Sequence, residues 1–319
     1  MPVAVSDALR LKRAHPELEM SGICCASTGD TSASAAIYSG YVRDELDCIV
    51  LVPNEKISDA QLFQAMAHGA KVCAINHPDG FDGCMRIVQE FTQRHPELAL
   101  VNSKNDMRIV GQESIALEIL QDLDWKVPDW IAIPIGNAGN LAALLSSLLR
   151  AKEFGLIDHL PGIIGAQTAA ADTFVRWSES RYVAYAPGPY QPTAASAMNI
   201  NDPVSFPRVQ KLITGFDAHF YRSGEADILH TWAQFMRAGA NICPQGAVAL
   251  HAVMQARAAG VVKERDTVVA ISTASMIKFS DVGLQFHAQG NQAEFANPYR
   301  VVDGTLEALE QSLATSEHL

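Results

Sequence analysis

The stretch that most constrains this chain is residues 131–140, Ile-Ala-Ile-Pro-Ile-Gly-Asn-Ala-Gly-Asn, an apolar run that breaks into a Gly/Asn turn. Leu141, Leu144, Leu145, Leu148 and Leu149 follow at the spacing of one helix face. The pattern predicts strand, turn and helix, so the turn delivers the main chain to a helix N-terminus. Free N–H groups and the positive end of the helix dipole attract an anion there, most often a phosphate. Gly136 and Gly139 let the backbone approach closely, and Asn137 and Asn140 add amide donors or tolerate left-handed dihedrals. Taken alone, the stretch fits a phosphate site and an Asn-capped turn with nothing bound equally well.

The same grammar recurs along the chain. Residues 21–26 form an apolar run that ends in Ser27-Thr28-Gly29-Asp30-Thr31-Ser32, with an Ala-rich helical segment over 33–41. Candidate strands at 48–52, 71–75 and 98–101 alternate with helical segments at 57–67 and 81–91. Such alternation predicts an α/β protein with parallel sheets flanked by helices. Residues 103–108 read as a crossing between two lobes, followed by a helix over 111–123. After the leucine-faced helix come a strand at 162–166, an irregular Pro- and Gly-containing stretch at 182–202, helices at 225–238 and 245–259, and a last core strand at 267–271. That strand runs into Ser272-Thr273-Ala274-Ser275, a third polar turn. Open α/β sheets bind ligands beyond the carboxyl ends of their strands, so the three turns are expected to share one cleft.

Charge and cysteine usage narrow the partners. With 24 Lys+Arg against 35 Asp+Glu the formal charge is −11, and no basic block runs along the chain. Nucleic acid and anionic membrane are therefore excluded as expected partners. An anionic ligand must be held by a local site against the overall field. The six cysteines have no CxxC spacing and sit mostly in apolar surroundings, as buried thiols in a reducing compartment do, so no zinc or redox site is expected. No apolar run reaches the ~18 residues of a membrane span. Acidic residues at positions 7, 17 and 19 are unlike a signal peptide, which makes the expected location the cytoplasm.

The three turns, in this order, resemble those of the fold type II pyridoxal-phosphate enzymes (tryptophan synthase beta-like), most closely the plant-like threonine synthases. Residues 26–33, Ala-Ser-Thr-Gly-Asp-Thr-Ser-Ala, look like the family's substrate-carboxylate loop. Asn102-Ser103, Arg108 and Gly111-Gln112 look like its lobe-crossing segment. Trp125 to Trp130 with residues 136–140 match its cofactor-phosphate strand and loop. Pro203-Val204-Ser205, Cys243-Pro244 and Ser272-Thr273-Ala274 also fit. The resemblance spans residues 1 to about 290.

The resemblance implies a two-lobed fold, with a smaller lobe at 20–103 and a larger one from 1–19 and 104–319. It implies pyridoxal 5′-phosphate as cofactor, with Gly136, Asn137, Ala138, Gly139 and Asn140 around its phosphate. Thr273 would offer a neutral hydroxyl to the ring nitrogen, and Asp30 would lie near the phenolic oxygen. Ser27, Thr28 and Thr31 would take the substrate carboxylate, while Ser103 and Arg108, with Asn137 in reach, would hold the γ-phosphate of O-phospho-L-homoserine. The implied reaction is threonine synthesis with release of phosphate, by a homodimer. Read without the resemblance, Ser27, Thr28 and Thr31 also suit plain helix capping, and Arg108 an ordinary solvated arginine at a helix start.

Departures from the pattern are equally legible. The family's Schiff-base lysine stands in a Phe-Lys-Asp stretch just before a helix like residues 2–11, and none of the nine lysines here stands in that context. A start assigned too late, a fragment, and a protein without this lysine are the three readings, and the first two together are the expectation. Asp30 stands where many fold type II enzymes carry Asn, as it does in the plant-like group. Gln245-Gly246 replaces a His-Thr pair, Ser275-Met276-Ile277 a His-Gly-Leu run, and Glu113 a lysine. These changes leave two other functions open. One is a lysine-less pyridoxal-phosphate- or amino-acid-binding regulatory partner; the other is a related elimination or replacement enzyme.

Overall fold

The computed structural model describes residues 1–27, 29–54, 59–188, 191–290 and 293–314. Two four-stranded sheets organise them. The first has the order β3-β2-β1-β4, with β1 at Gly22–Ala26, β2 at Asp47–Pro53, β3 at Lys71–Ile75 and β4 at Leu98–Leu100. The second has the order β7-β6-β5-β8, with β5 at Trp130–Pro134, β6 at Gly162–Thr168, β7 at Ala218–Ser223 and β8 at Val268–Ala270. Every pairing is parallel. The sequence-based expectation of helix-flanked parallel sheets is met.

The reason lies in the central strands. β1 and β5 are buried along their whole length, so each needs an apolar cover on both faces. Alternate residues supply the two faces. In β1, Ile23 and Cys25 pack with Val50, Val52 and Ala35, while Cys24 and Ala26 pack with Leu51, Cys84 and Val88. In β5 and the residue after it, Ile131, Ile133 and Ile135 meet Leu141, Leu144, Leu145 and Leu148 of the helix Gly139–Glu153. Trp130 and Ala132 face the other way, onto Val248, Ala249 and Ala252 of the helix Pro244–Ala258.

Some elements depart from the sequence reading. The helix Pro2–Ala14, expected with the larger lobe, packs both ways: Ala4, Val5 and Ala8 share a core with Ile23, Cys25 and Val50 of the first sheet, and the helix also lies against residues 106–112. Its apolar stripe covers a sheet face that the helix Asp30–Gly40 leaves partly open. The helix expected over 111–123 is two helices, Asp106–Gln112 and Ser114–Asp122. β8 has one strand neighbour and is half-buried, so it is an edge rather than a core strand. The helices Thr173–Glu179 and Phe206–Leu212 and the strand β7 have no counterpart in the sequence reading. Two are single short helices and the third is an edge strand with polar residues, so none carries a long enough period.

Candidate functional site

Because the strands of each sheet run parallel, their following loops gather at one end. A cleft of about 520 Å³ opens there, within the size range of small-molecule sites. Asp30, Thr31, Ser103, Arg108, residues 136–140 and Thr273 all line it. Stretches almost 250 residues apart thus meet as the order of the three turns predicts. Ser27 is not among the lining residues: it is buried, and its hydroxyl accepts a 3.0 Å bond from the Gly29 N–H, shaping the turn from behind. Thr28 lies outside the described residues.

The loop after β5 is an anion cradle by construction. The N–H groups of residues 136–140 make no hydrogen bond among the described residues, while the Ile135 N–H is already used by the Ala166 carbonyl. Ala138 sits in the left-handed region at φ 61°, which turns successive N–H groups toward one concavity. The glycines are required by close approach. A Cβ at Gly136 would lie 2.9 Å from the Ala197 carbonyl oxygen, and one at Gly139 would lie 3.1 Å from Ile109 Cδ1 and 3.3 Å from Ser103 Oγ. The Asn140 side chain is engaged within the loop, while its main-chain N–H stays with the free donors. Its Nδ2 donates to the Pro134 carbonyl at 3.0 Å and its Oδ1 accepts from the Leu141 N–H at 2.9 Å, so the side chain pins the loop. Ser205 braces it further by donating its N–H to the Asn137 carbonyl.

Arg108 is placed by a chain of short-range constraints. Asn102, 3% exposed, forms a two-way bridge with the main chain at Ala26, accepting at 2.9 Å and donating at 2.6 Å. Its amide extends the end of β1 as a strand neighbour would. Asn105 then caps the helix Asp106–Gln112, accepting from the Arg108 N–H and donating to the Leu100 carbonyl. The guanidinium donates from Nη1 to the Val101 carbonyl at 3.3 Å. No carboxylate lies within ion-pair distance of it among the described residues. Burial draws its pKa below the ordinary arginine value, with the neighbouring Cys25 opposing. An arginine held in a cleft wall without a counter-ion favours an incoming anion.

Asp30 would oppose such an anion, and Lys278 answers it. Lys278 Nζ donates to Asp30 Oδ1, an ion pair between the first turn of the helix Asp30–Gly40 and the segment after Thr273. The pair ties the two sheets' loops together across the cleft. Sequence reasoning missed this partner, as it missed the roles of Asn102, Asn105 and Ser205. Lys278 and Asp30 are 248 positions apart, so no local signal joins them. The buried thiols Cys24, Cys25, Cys48 and Cys84 all have raised pKa values from burial, Cys24 to about 12, which makes them packing groups and not nucleophiles.

Two helix-flanked parallel sheets, with residues 136–140 and Thr273 lining one cleft at their strand ends, define an α/β protein with a small-molecule site. The chain belongs to the pyridoxal-phosphate dependent enzyme family, whose sequence profile matches residues 3–274. It is 36% identical over 302 residues to threonine synthase 2, chloroplastic, of Arabidopsis thaliana, an overlap covering 93% of this chain and 57% of that protein. It is 34% identical over 286 residues to threonine synthase of Mycobacterium bovis (strain ATCC BAA-935 / AF2122/97), covering 89% of this chain and 74% of that one. The chain therefore spans little more than half the length of the first of these relatives. Among solved structures, threonine synthase from Escherichia coli matches with a TM-score of 0.73 at 22% identity, over 96% of this chain and 68% of that one. The pyridoxal-phosphate-bound threonine synthase from Brucella melitensis matches at 0.67 and 24%, over 87% of this chain and 64% of that one. Both share the fold.

Pyridoxal phosphate is the cofactor of this family, and the donor set here fits it. Unsatisfied N–H groups suit its phosphate, and the Thr273 hydroxyl suits a neutral ring nitrogen.

Proposed function

We propose that this chain carries the cofactor and substrate sites of a threonine synthase, the enzyme that converts O-phospho-L-homoserine and water into L-threonine and phosphate. The observation that supports the reading most is the pairing of two separate anion sites in one cleft. One is the set of free N–H groups at 136–140, and the other is the counter-ion-free Arg108. A doubly anionic partnership of cofactor phosphate and substrate phosphate uses both. An Asn-capped turn with nothing bound needs neither.

Each residue's task follows from its surroundings. The N–H groups of residues 136–140 hold the cofactor phosphate, and Thr273 faces the ring nitrogen. Arg108 and the Ser103 hydroxyl bind the substrate phosphate, and the Asn137 amide, which has no partner among the described residues, reaches the same space. Thr31, at the start of the helix Asp30–Gly40, binds the substrate carboxylate, with the Lys278 ammonium neutralising Asp30 beside it. Pyridoxal phosphate, when bound, supplies the electron sink for proton loss from carbon. The protein orients the leaving phosphate against Arg108 so that its developing charge is stabilised. None of the lysines seen here is assigned as the proton-transfer base.

The reading extends to a homodimer in a reducing, cytoplasmic compartment, which the unpaired cysteines suit. No helix among the described residues is long and apolar enough to cross a membrane. Calorimetric titration with O-phospho-L-homoserine in the presence of pyridoxal 5′-phosphate tests the proposal. Saturable binding that L-homoserine does not reproduce supports it, and equal binding of the two overturns it. Sedimentation velocity tests the dimer.

A further inference from the structure

Another part of the cleft wall is built by the start of the helix Pro244–Ala258 and the turn after β8, the strand next to β5. Cys243 caps that helix, accepting from the Gly246 N–H at 3.4 Å through its sulfur, and the same sulfur lies 3.5 Å from Thr273 Oγ1. A Cβ at Gly246 would lie 3.3 Å from Ser272 Oγ, so this helix start and the turn are in contact. Between them stands Gln245, 4% exposed and lining the cleft. Its Nε2 is enclosed and has no hydrogen-bond partner. Its main-chain N–H, in the first turn of the helix, has none among the described residues either.

Of the other enclosed amides, Gln64 likewise engages no described residue, but it does not line the cleft. Gln167, Asn199 and Gln255 each leave one amide atom unpaired but engage the other, with the N–H groups of Phe174 and Val175, the Gln191 carbonyl and the Arg222 carbonyl respectively. Gln245 engages neither half with a described residue. An enclosed amide left unpaired works against folding, and where it lines a ligand-sized cleft a bound ligand can supply the missing partner. The residues around it, Thr273, Ser272 and Cys243, are neutral, in contrast to the Arg108 side of the cleft. This wall suits an uncharged acceptor rather than an anion.

We propose that Gln245 is a ligand-binding residue whose amide donates to the ring end of a bound phosphorylated heterocycle, on the side opposite its phosphate. The proposal rests on reading the cleft as a pyridoxal-phosphate site. It adds to that reading a donor for the ring hydroxyl oxygen, since the single lone pair of the ring nitrogen is taken by Thr273.

The test uses the full chain and two probes that form no covalent adduct. Inorganic phosphate reports the cradle alone, and 4′-deoxypyridoxine 5′-phosphate reports the cradle plus the ring. In Gln245→Leu the dissociation constant for the ring probe is expected to rise about five- to tenfold, the size of one lost hydrogen bond, with phosphate binding unchanged. The ligand-free melting temperature is expected to hold or increase, because the unpaired amide is gone. Gln245→Glu keeps the shape, removes the donor and is expected to weaken the ring probe at least as much. Unchanged affinity for the ring probe in both variants overturns the proposal. So does a parallel loss of both probes with a lower melting temperature, which would make the amide a structural group. Failure of the unmodified chain to bind the ring probe at all overturns the site reading itself, and the role of Gln245 with it.

Discussion

Replacing Arg108 separates an anion clamp from a structural arginine. The guanidinium has one long bond, 3.3 Å, to the Val101 carbonyl and no carboxylate partner among the described residues. Its contribution to the fold is therefore one weak hydrogen bond set against the cost of burying a charge, a net of about 1 kcal/mol or less in either direction. A substrate phosphate bound by its two terminal nitrogens gains two charge-assisted bonds at roughly 1.5–3 kcal/mol each. Taking about 3 kcal/mol for the pair, Arg108→Met should weaken O-phospho-L-homoserine on the order of a hundredfold. Arg108→Lys keeps the charge but not the fork and should recover part of that loss. Calorimetry gives the affinities, with L-homoserine as the phosphate-free control, and urea unfolding gives the stability. Loss of more than about 3 kcal/mol of stability with substrate affinity intact would refute the reasoning, because a group so weakly tied to the fold cannot produce it.

Three further outcomes follow from the packing. Leu144→Ala empties a fully buried position on the face that meets Ile131, Ile133 and Ile135, and should cost about 2–5 kcal/mol in urea unfolding. Asn102→Leu breaks both bonds to Ala26 and leaves its N–H and carbonyl buried and unpaired, so a loss of roughly 2–5 kcal/mol is expected, together with weaker substrate binding as Arg108 loses its support. Lys278→Met should change stability by less than about 1 kcal/mol, since the pair with Asp30 is part-exposed. It should nevertheless weaken O-phospho-L-homoserine by exposing the ligand to an unneutralised carboxylate; adding Asp30→Asn should restore binding, and absence of that rescue in a double-mutant cycle counts against the neutralising role.

How far the site was legible in the sequence depends on the range of each signal. The cradle at 136–140 could be read because apolar strand, Gly/Asn turn and leucine-faced helix are contiguous. That Thr31 and Thr273 line the cleft could be read because each follows its own strand. Asn140 was read as adding an amide donor, and its amide is engaged by the Pro134 carbonyl and the Leu141 N–H within the loop. Ser27 was read as a carboxylate ligand, and its hydroxyl accepts from the Gly29 N–H without being among the residues that line the cleft. For short polar side chains at turns, local main-chain donors and acceptors compete with any ligand, and spacing does not decide between them.

The sequence by itself determined the parallel α/β architecture, because strands with no polar face, such as Gly22–Ala26 and Trp130–Pro134, must be covered on both sides by the helices that alternate with them. It also determined that a helix begins at the Gly/Asn turn, which is a property of neighbouring residues. Only the tertiary structure decided which helix covers which face, so that residues 1–14 lie on the first sheet. It alone paired Lys278 with Asp30 and, among the described residues, left Arg108 without a counter-ion and the Gln245 amide without a partner. The physical reason is that burial and charge pairing depend on what the folded chain brings from far away, and a side chain's own neighbours in sequence carry no record of it.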